Sequence, residues 1–112
     1  MESTRQKKVA RLVQKELAEI ILHHSGELAH GKMISVTTVR VSPDLSLAKT
    51  WISIFPSDKS AEILEVLRGQ VPRIRYELGQ KVRNQLRIVP EIAFFVDDSN
   101  DYIDKISNLL KE

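Results

Sequence analysis

Two helical patterns follow one another with no strand between them, and this order most restricts the possible folds. Apolar residues recur at helical spacing over 61–67 and again over 74–86. Gly69 interrupts the pattern, and Pro72 fits the first turn of a new helix because its missing N–H would be unpaired there. Strand-like segments stand on both sides of the helical pair. The pair is therefore predicted to cross over between two strands of one sheet.

Three segments are predicted to be strands. Residues 33–42 and 46–55 are rich in β-branched residues and are joined by the turn sequence SPDL, which predicts an antiparallel hairpin. A change of apolar parity between Val36 and Val39 predicts that the first of them has a bulge there or is buried on both faces. Residues 91–96 form the third strand, whose mixed apolar character predicts burial on both sides. Four residues of the second strand share the face predicted to line the core: Ala48, Thr50, Ile52 and Ile54.

Two further helices complete the predicted architecture. Residues 4–24 form a long amphipathic pattern that Ser3 or Thr4 can cap. Residues 97–112 are predicted to form an acidic C-terminal helix, since acids favour the first turn of a helix. The order is helix, strand, strand, helix, helix, strand, helix. It predicts an α+β fold in which helices cover one face of a three-stranded sheet, within a single domain of 112 residues.

Positive charge is concentrated in two segments. The formal net charge is only +2, yet residues 1–15 and 68–90 contain 11 of the 17 lysines and arginines, with only Glu2 and Glu77 against them. Clustering of this kind indicates a polyanionic partner more strongly than the net charge does. The residues predicted to contact RNA are Lys8, Arg11, Lys15, Arg73, Arg75, Lys81, Arg83 and Arg87.

The sequence gives little support to metal, cofactor or membrane functions. The chain has no cysteine, and its three histidines lack the spacing of a metal site, so neither a metal nor a cofactor is predicted. No phosphate-binding or dinucleotide-binding glycine motif is present. No apolar run approaches the roughly 20 residues that cross a bilayer, and the N-terminus lacks the apolar segment of a signal peptide. A non-enzymatic, cytoplasmic protein is therefore expected, and we also expect it to act as a monomer.

Three segments carry a family resemblance. They read QKKVARLVQKELAEII in the first helix, VTTVRVSPDLSLAKTWISI in the hairpin and IRYELGQKVRNQLRIVPEIAFFVDDS toward the end. In this order they resemble the ribosome-binding factor A family of bacterial small-subunit assembly factors. One difference lies at the helix–helix junction, where the family usually has Ala-x-Gly and this chain has Gln70 and Pro72.

The resemblance implies a fold and a function. The implied fold is a type II KH-like fold over residues 1–112. Standard KH modules clamp nucleic acid with a GXXG loop, but residues 69–72 read GQVP here and lack the second glycine. The implied function is ribosome biogenesis through binding to the immature 30S subunit and its 16S rRNA. Such factors assist late maturation, including 5′-end processing of the rRNA, and support growth in the cold.

Other interpretations are kept as alternatives. The acidic C-terminal helix fits a protein–protein adaptor that docks a basic partner. Asp97 and Asp98 fit a small nuclease or other hydrolase, although nothing near them offers a nucleophile. Trp51 and Phe55 share one strand face and are candidates for stacking on a nucleobase. An ion pair between Asp97 and Arg87 is the structural alternative to an RNA contact by that arginine.

Overall fold

The computed structural model describes residues 3–24, 26, 33–55 and 60–97. In chain order its elements are α1 (Thr4–His23), β1 (Met33–Val41), β2 (Leu47–Phe55), α2 (Ser60–Gly69), α3 (Val71–Val82) and β3 (Glu91–Val96). This order confirms the predicted series from the first helix to the third strand. The predicted C-terminal helix, over 97–112, lies outside the described residues except for Asp97.

The three strands form one sheet in the order β1-β2-β3. β1 and β2 pair antiparallel, whereas β2 and β3 pair parallel with Ile52 opposite Val96. The predicted hairpin and bulge are confirmed, because the register of the hairpin shifts between Val36 and Thr38. The turn of the hairpin holds Leu45 at a φ of 64°, a conformation that is uncommon for residues other than glycine.

The core lies between one face of the sheet and the helices. The four β2 residues predicted to line it are all buried: Ala48, Thr50, Ile52 and Ile54. Each helix buries one apolar stripe, which includes Leu17 in α1, Leu67 in α2 and Leu78 in α3. The helices therefore cover one side of the sheet, as predicted, and leave the basic residues on their outer sides.

Two local predictions are wrong. In β3 only one face is buried: Phe94 lies in the core, whereas Phe95 is 36% exposed, because the described helices pack on one side of the sheet. The second correction concerns α3, which ends at Val82 instead of continuing to Leu86. The N–H groups of Gln85 and Leu86 both donate to the Val82 carbonyl and close the helix in a turn.

Side-chain caps fix where α1 begins. The Ser3 hydroxyl accepts a hydrogen bond from the Gln6 N–H, and the Gln6 side-chain oxygen accepts one from the Ser3 N–H. The Gln6 amide also donates to the Val41 carbonyl over 2.8 Å. This buried contact ties the start of α1 to the end of β1, so the basic N-terminal helix has a fixed position over the sheet.

Candidate nucleic-acid interface

The two basic helices lie side by side and run in opposite directions. His24, at the end of α1, contacts Arg73 in the first turn of α3 and Glu77 in its middle. Further along the pair, Glu19 of α1 contacts Lys81 of α3. The start of α1 then shares a cleft with the segment that follows α3. The two basic segments of the sequence are therefore brought together on one surface.

Lys81 is held by acidic residues of α1. Its Nζ lies 3.3 Å from Oε2 of Glu19 and 3.6 Å from Oε2 of Glu16. The hydrogen bond to Glu19 is the largest effect that raises the pKa of Lys81, and the charges of both acids act in the same direction. The ammonium group of Lys81 is thus partly balanced before any external partner binds.

Arg73 also has intramolecular partners. Its Nη2 donates to Nδ1 of His24 over 3.2 Å, and its Nε lies 4.0 Å from Oε2 of Glu77. Arginine can only donate, so Nδ1 of His24 must accept and its Nε2 carries the hydrogen. That Nε2 donates to Oε1 of Glu77 over 2.9 Å. The three side chains therefore join the end of α1 to the start of α3.

Arg75 fastens the segment that follows α3. Its Nη2 donates to the Val89 carbonyl over 2.7 Å, and its Nε donates to the Pro90 carbonyl over 3.2 Å. Gly79 faces the same segment, and a Cβ added there would lie 3.3 Å from Cγ2 of Val89. This close approach sets the path of the segment and so the position of Arg87 beside α1.

The remaining predicted residues are exposed and open to a partner. Within the described part of the chain, none of them forms a hydrogen bond or an ion pair: Lys8, Arg11, Lys15, Arg83 and Arg87. The first three follow one another at helical spacing on the outer side of α1. Their charges are therefore not compensated by any side chain that the structure describes.

Lys8 and Arg87 line a cleft of about 300 Å³ at one end of the helix pair. Arg5 lines the same cleft. Arg5 belongs to the basic N-terminal segment but was not predicted to contact RNA. Its position three residues before Lys8 puts both side chains on neighbouring parts of the helix surface, and this spacing could have identified it. The apolar part of the lining comes from Val9, Leu45, Leu86 and Ile88.

One carboxylate lies at this cleft. Oδ1 of Asp44 accepts hydrogen bonds from the hydroxyls of Ser42 and Ser46, each over 2.7 Å, and from the Ser46 N–H over 3.1 Å. These bonds, that of the Ser42 hydroxyl foremost, lower the pKa of Asp44 to about 2. Asp44 therefore remains ionised at neutral pH, so three cations face one carboxylate and the cleft is positively charged.

The other candidate sites differ from their predictions in part. Asp97 lies at the end of β3, where its carboxylate accepts a hydrogen bond from the Thr37 hydroxyl over 2.7 Å. Arg87 makes no ion pair with it, and Asp98 lies outside the described residues. In the described ranges, no group of three His, Cys, Asp or Glu residues is placed to hold a metal ion. No helix in those ranges is long and apolar enough to span a membrane.

Comparison with known proteins decides the family. The family described as ribosome-binding factor A matches residues 5–110. This chain belongs to the ribosome-binding factor A family. Ribosome-binding factor A of Cytophaga hutchinsonii is 44% identical over 112 residues, which cover 100% of this chain and 84% of that protein. That of Flavobacterium psychrophilum is 44% identical over 114 residues, with 98% and 85% of the two chains covered. The resemblance seen in the sequence is thus confirmed.

Solved structures of ribosome-binding factor A share the fold. The crystal structure from Thermus thermophilus gives a TM-score of 0.68 at 21% identity and covers 81% of this chain and 94% of its own. The solution structure from Thermotoga maritima gives 0.68 at 21% identity, with coverage of 85% and 89%. A homology model of the Thermus thermophilus factor, fitted into a cryo-EM map of a 30S complex, gives 0.52 at 22% identity, with coverage of 73% and 96%.

Backbone hydrogen bonds close the corner between α2 and α3. The N–H of Gln70 donates to the carbonyls of Val66 and Leu67, and its own carbonyl accepts from the Ile74 N–H over 2.9 Å. Pro72 lies in the first turn of α3, as predicted, and has no N–H to offer a phosphate. Gln70 therefore takes part in the last turn of α2 and in the first turn of α3, so the two helices follow each other without a connecting loop.

Proposed function

We propose that this chain is a ribosome biogenesis factor that binds the immature 30S subunit and its 16S rRNA. It assists late maturation, including 5′-end processing of the rRNA, and supports growth in the cold. It acts in the cytoplasm as a non-enzymatic monomer, with a single type II KH-like domain over residues 1–112. Family membership supports the ribosomal target, because a relative from Thermus thermophilus was fitted into a map of a 30S complex.

One arrangement of charge supports RNA as the ligand. Arg5 and Lys8 of α1 and Arg87 of the segment after α3 line one cleft, and phosphate contacts by such residues supply a large share of the affinity for nucleic acid. Arginine adds bidentate contacts to phosphate oxygens. We assign the main contacts to six exposed residues that have no described partner: Arg5, Lys8, Arg11, Lys15, Arg83 and Arg87. Arg73, Arg75 and Lys81 have intramolecular partners and contribute less.

The experiment measures co-sedimentation with 30S subunits over a range of salt concentrations. A Lys8→Gln, Arg87→Gln variant removes two open charges from the cleft. Each lost phosphate contact should lower the slope of log affinity against log salt by about 0.7–0.9. The matched control is Lys81→Gln with Glu19→Gln, which removes an internal ion pair and leaves the net charge unchanged. The control is expected to bind like the wild type.

A folded Lys8→Gln, Arg87→Gln variant with wild-type affinity and salt slope would remove the cleft from the RNA-binding surface. Circular dichroism and thermal unfolding verify that both variants keep the fold. Binding to a protein partner alone, with no salt-sensitive binding to subunits, would instead favour the adaptor alternative. That alternative depends on residues 97–112, of which the structure describes only Asp97.

A further inference from the structure

The sheet face opposite the helices carries two positive charges next to each other. Arg40 and Lys49 are direct partners in the register of β1 and β2, and both are exposed. Like charges in directly opposite positions on antiparallel strands repel each other. Neither side chain makes a hydrogen bond or an ion pair with another residue in the described ranges. This pair is therefore arranged to receive a negatively charged group.

An aromatic surface lies beside the two charges. Trp51 follows Lys49 on the same face of β2, and its ring stacks on that of Phe95 in β3. The ring centroids are 5.4 Å apart and the planes are inclined by 29°. Phe95 is 36% exposed and Trp51 is half-buried, so the pair is held in place and still reaches solvent. A supported ring of this kind can receive a further flat ring by stacking.

The charges and the indole meet in one cleft of about 430 Å³. Its lining includes Arg40, Lys49 and Trp51, together with the apolar side chains of Pro43 and Leu47. A pair of cations suits a phosphate group, and an aromatic face suits a nucleobase. Bases in a duplex remain stacked on their neighbours, whereas bases of loops and bulges can turn outward and stack on a protein side chain.

We propose that this cleft binds an unpaired RNA nucleotide, with its base on Trp51 and its phosphate between Arg40 and Lys49. The proposal rests on the proposed function, which supplies the RNA, and it adds the kind of RNA that is recognised. The cleft and the helical surface lie on opposite sides of the sheet. The chain therefore contacts paired RNA through its helices and an unpaired nucleotide through its sheet.

Trp51 is the only tryptophan in the sequence, so its fluorescence reports this cleft directly. The full chain is titrated with a ten-nucleotide oligouridylate, and with the same strand paired to oligoadenylate. The single strand is expected to quench Trp51 emission to saturation, and the duplex to quench about fivefold less. An Arg40→Gln, Lys49→Gln variant should bind the single strand about tenfold more weakly by this readout. Its thermal midpoint should be no lower, because a repulsive pair has been removed.

Two control variants test whether the quenching depends on this cleft or only on the total positive charge and the number of exposed aromatic rings. Arg11→Gln with Lys15→Gln removes the same number of positive charges from the helical surface. This variant should retain the quenching affinity within about threefold, although it binds subunits less well. Phe55→Leu removes an exposed ring from the end of β2 outside the cleft and should leave the quenching unchanged.

Three results would overturn the proposal. The first is equal quenching by single strand and duplex, and the second is wild-type quenching in the Arg40→Gln, Lys49→Gln variant. The third is Trp51 emission that does not change at saturating oligouridylate but is shifted by the substitutions Asp101→Asn and Asp104→Asn. This result would assign the cleft to the chain's own C-terminal segment. If the chain binds 30S subunits but oligouridylate does not quench Trp51, only the nucleotide site in the cleft is rejected. If oligouridylate quenches Trp51 but the chain does not bind 30S subunits, only the proposed function is rejected.

Discussion

Arg75 and Arg83 belong to the same basic stretch but have different surroundings. Arg75 donates to two backbone carbonyls of the segment that follows α3. Arg83 caps the end of that helix, is exposed, and has no side-chain partner within the described ranges. One arginine therefore holds the protein together, whereas the other is free to hold a ligand.

This difference predicts opposite effects for two matched substitutions. Arg75→Met should lower the free energy of unfolding by about 1 kcal/mol, because two hydrogen bonds from a charged donor are lost. Arg83→Met should change it by less than about 0.5 kcal/mol and should instead weaken binding to 30S subunits. Urea denaturation and co-sedimentation measure the two effects. Equal stabilities of the two variants would contradict the structural role of Arg75.

A second prediction for a single residue concerns the pH dependence of stability at Asp44, whose pKa is lowered to about 2 in the folded chain. A lowered pKa means that the carboxylate stabilises the fold above its unfolded pKa of about 4 and that this stabilisation is lost as the pH falls through about 2. Asp44→Asn keeps an oxygen that accepts from Ser42 and Ser46 but cannot titrate. Urea midpoints of the variant should therefore fall less than those of the wild type between about pH 4 and pH 2. Parallel curves would show that Asp44 does not titrate with folding.

At the scale of elements, α3 and the segment after it are in close contact at Gly79. A Cβ at that position would lie 3.3 Å from the Val89 side chain, so a large residue must push the segment away. Gly79→Leu should lower the free energy of unfolding by about 1–2 kcal/mol, because overpacking exceeds the gain in helix propensity. Gln80→Leu, at the next and exposed position, should change it by less than about 0.5 kcal/mol. A variant at Gly79 as stable as the wild type would show that Val89 moves aside easily.

The elements also show which features a sequence can predict. Alternation in β2 correctly predicted its core face, because every second residue from Ala48 to Ile54 is apolar or buried threonine. Phe95 was misassigned because an apolar strand does not reveal which sheet face the helices will cover. Leu86 was assigned to α3 because it has the right spacing, and it does pack against the core, but from beyond the end of the helix.

The residues predicted to contact RNA show the same limit of sequence analysis. Composition identified the two basic segments and predicted that Lys8 and Arg87 belong to the site, and the structure places them at one cleft. It could not separate open cations from paired ones. Glu19 lies 62 residues before its partner Lys81 in the sequence, and only the antiparallel packing of α1 and α3 brings the two side chains together.

At the scale of the whole molecule, acidic residues of α1 limit how much of the basic surface formed by α1 and α3 is available to a polyanionic partner. Glu16 and Glu19 balance Lys81. Glu16→Gln with Glu19→Gln should release this lysine, tighten binding to 30S subunits at low salt and steepen the salt slope by about 0.7–0.9. Glu62→Gln with Glu91→Gln changes the net charge equally, removes two carboxylates that have no described partner, and leaves Lys81 paired. Equal gains in the two variants would mean that overall charge, not the released lysine, determines affinity.

The antiparallel packing of α1 and α3 has a consequence for how the molecule arrives at its target. Ion pairs of Glu77 with Arg73 and of Glu19 with Lys81 weaken the positive field along one half of the helix pair, while at the other half Arg5, Lys8 and Arg87 outnumber Asp44. This uneven charge distribution gives the helix pair an electrostatic dipole, which orients the molecule in the field of a polyanion. The cationic end is drawn toward a polyanion from about one Debye length away, before any atoms touch, so fewer collisions occur in the wrong orientation.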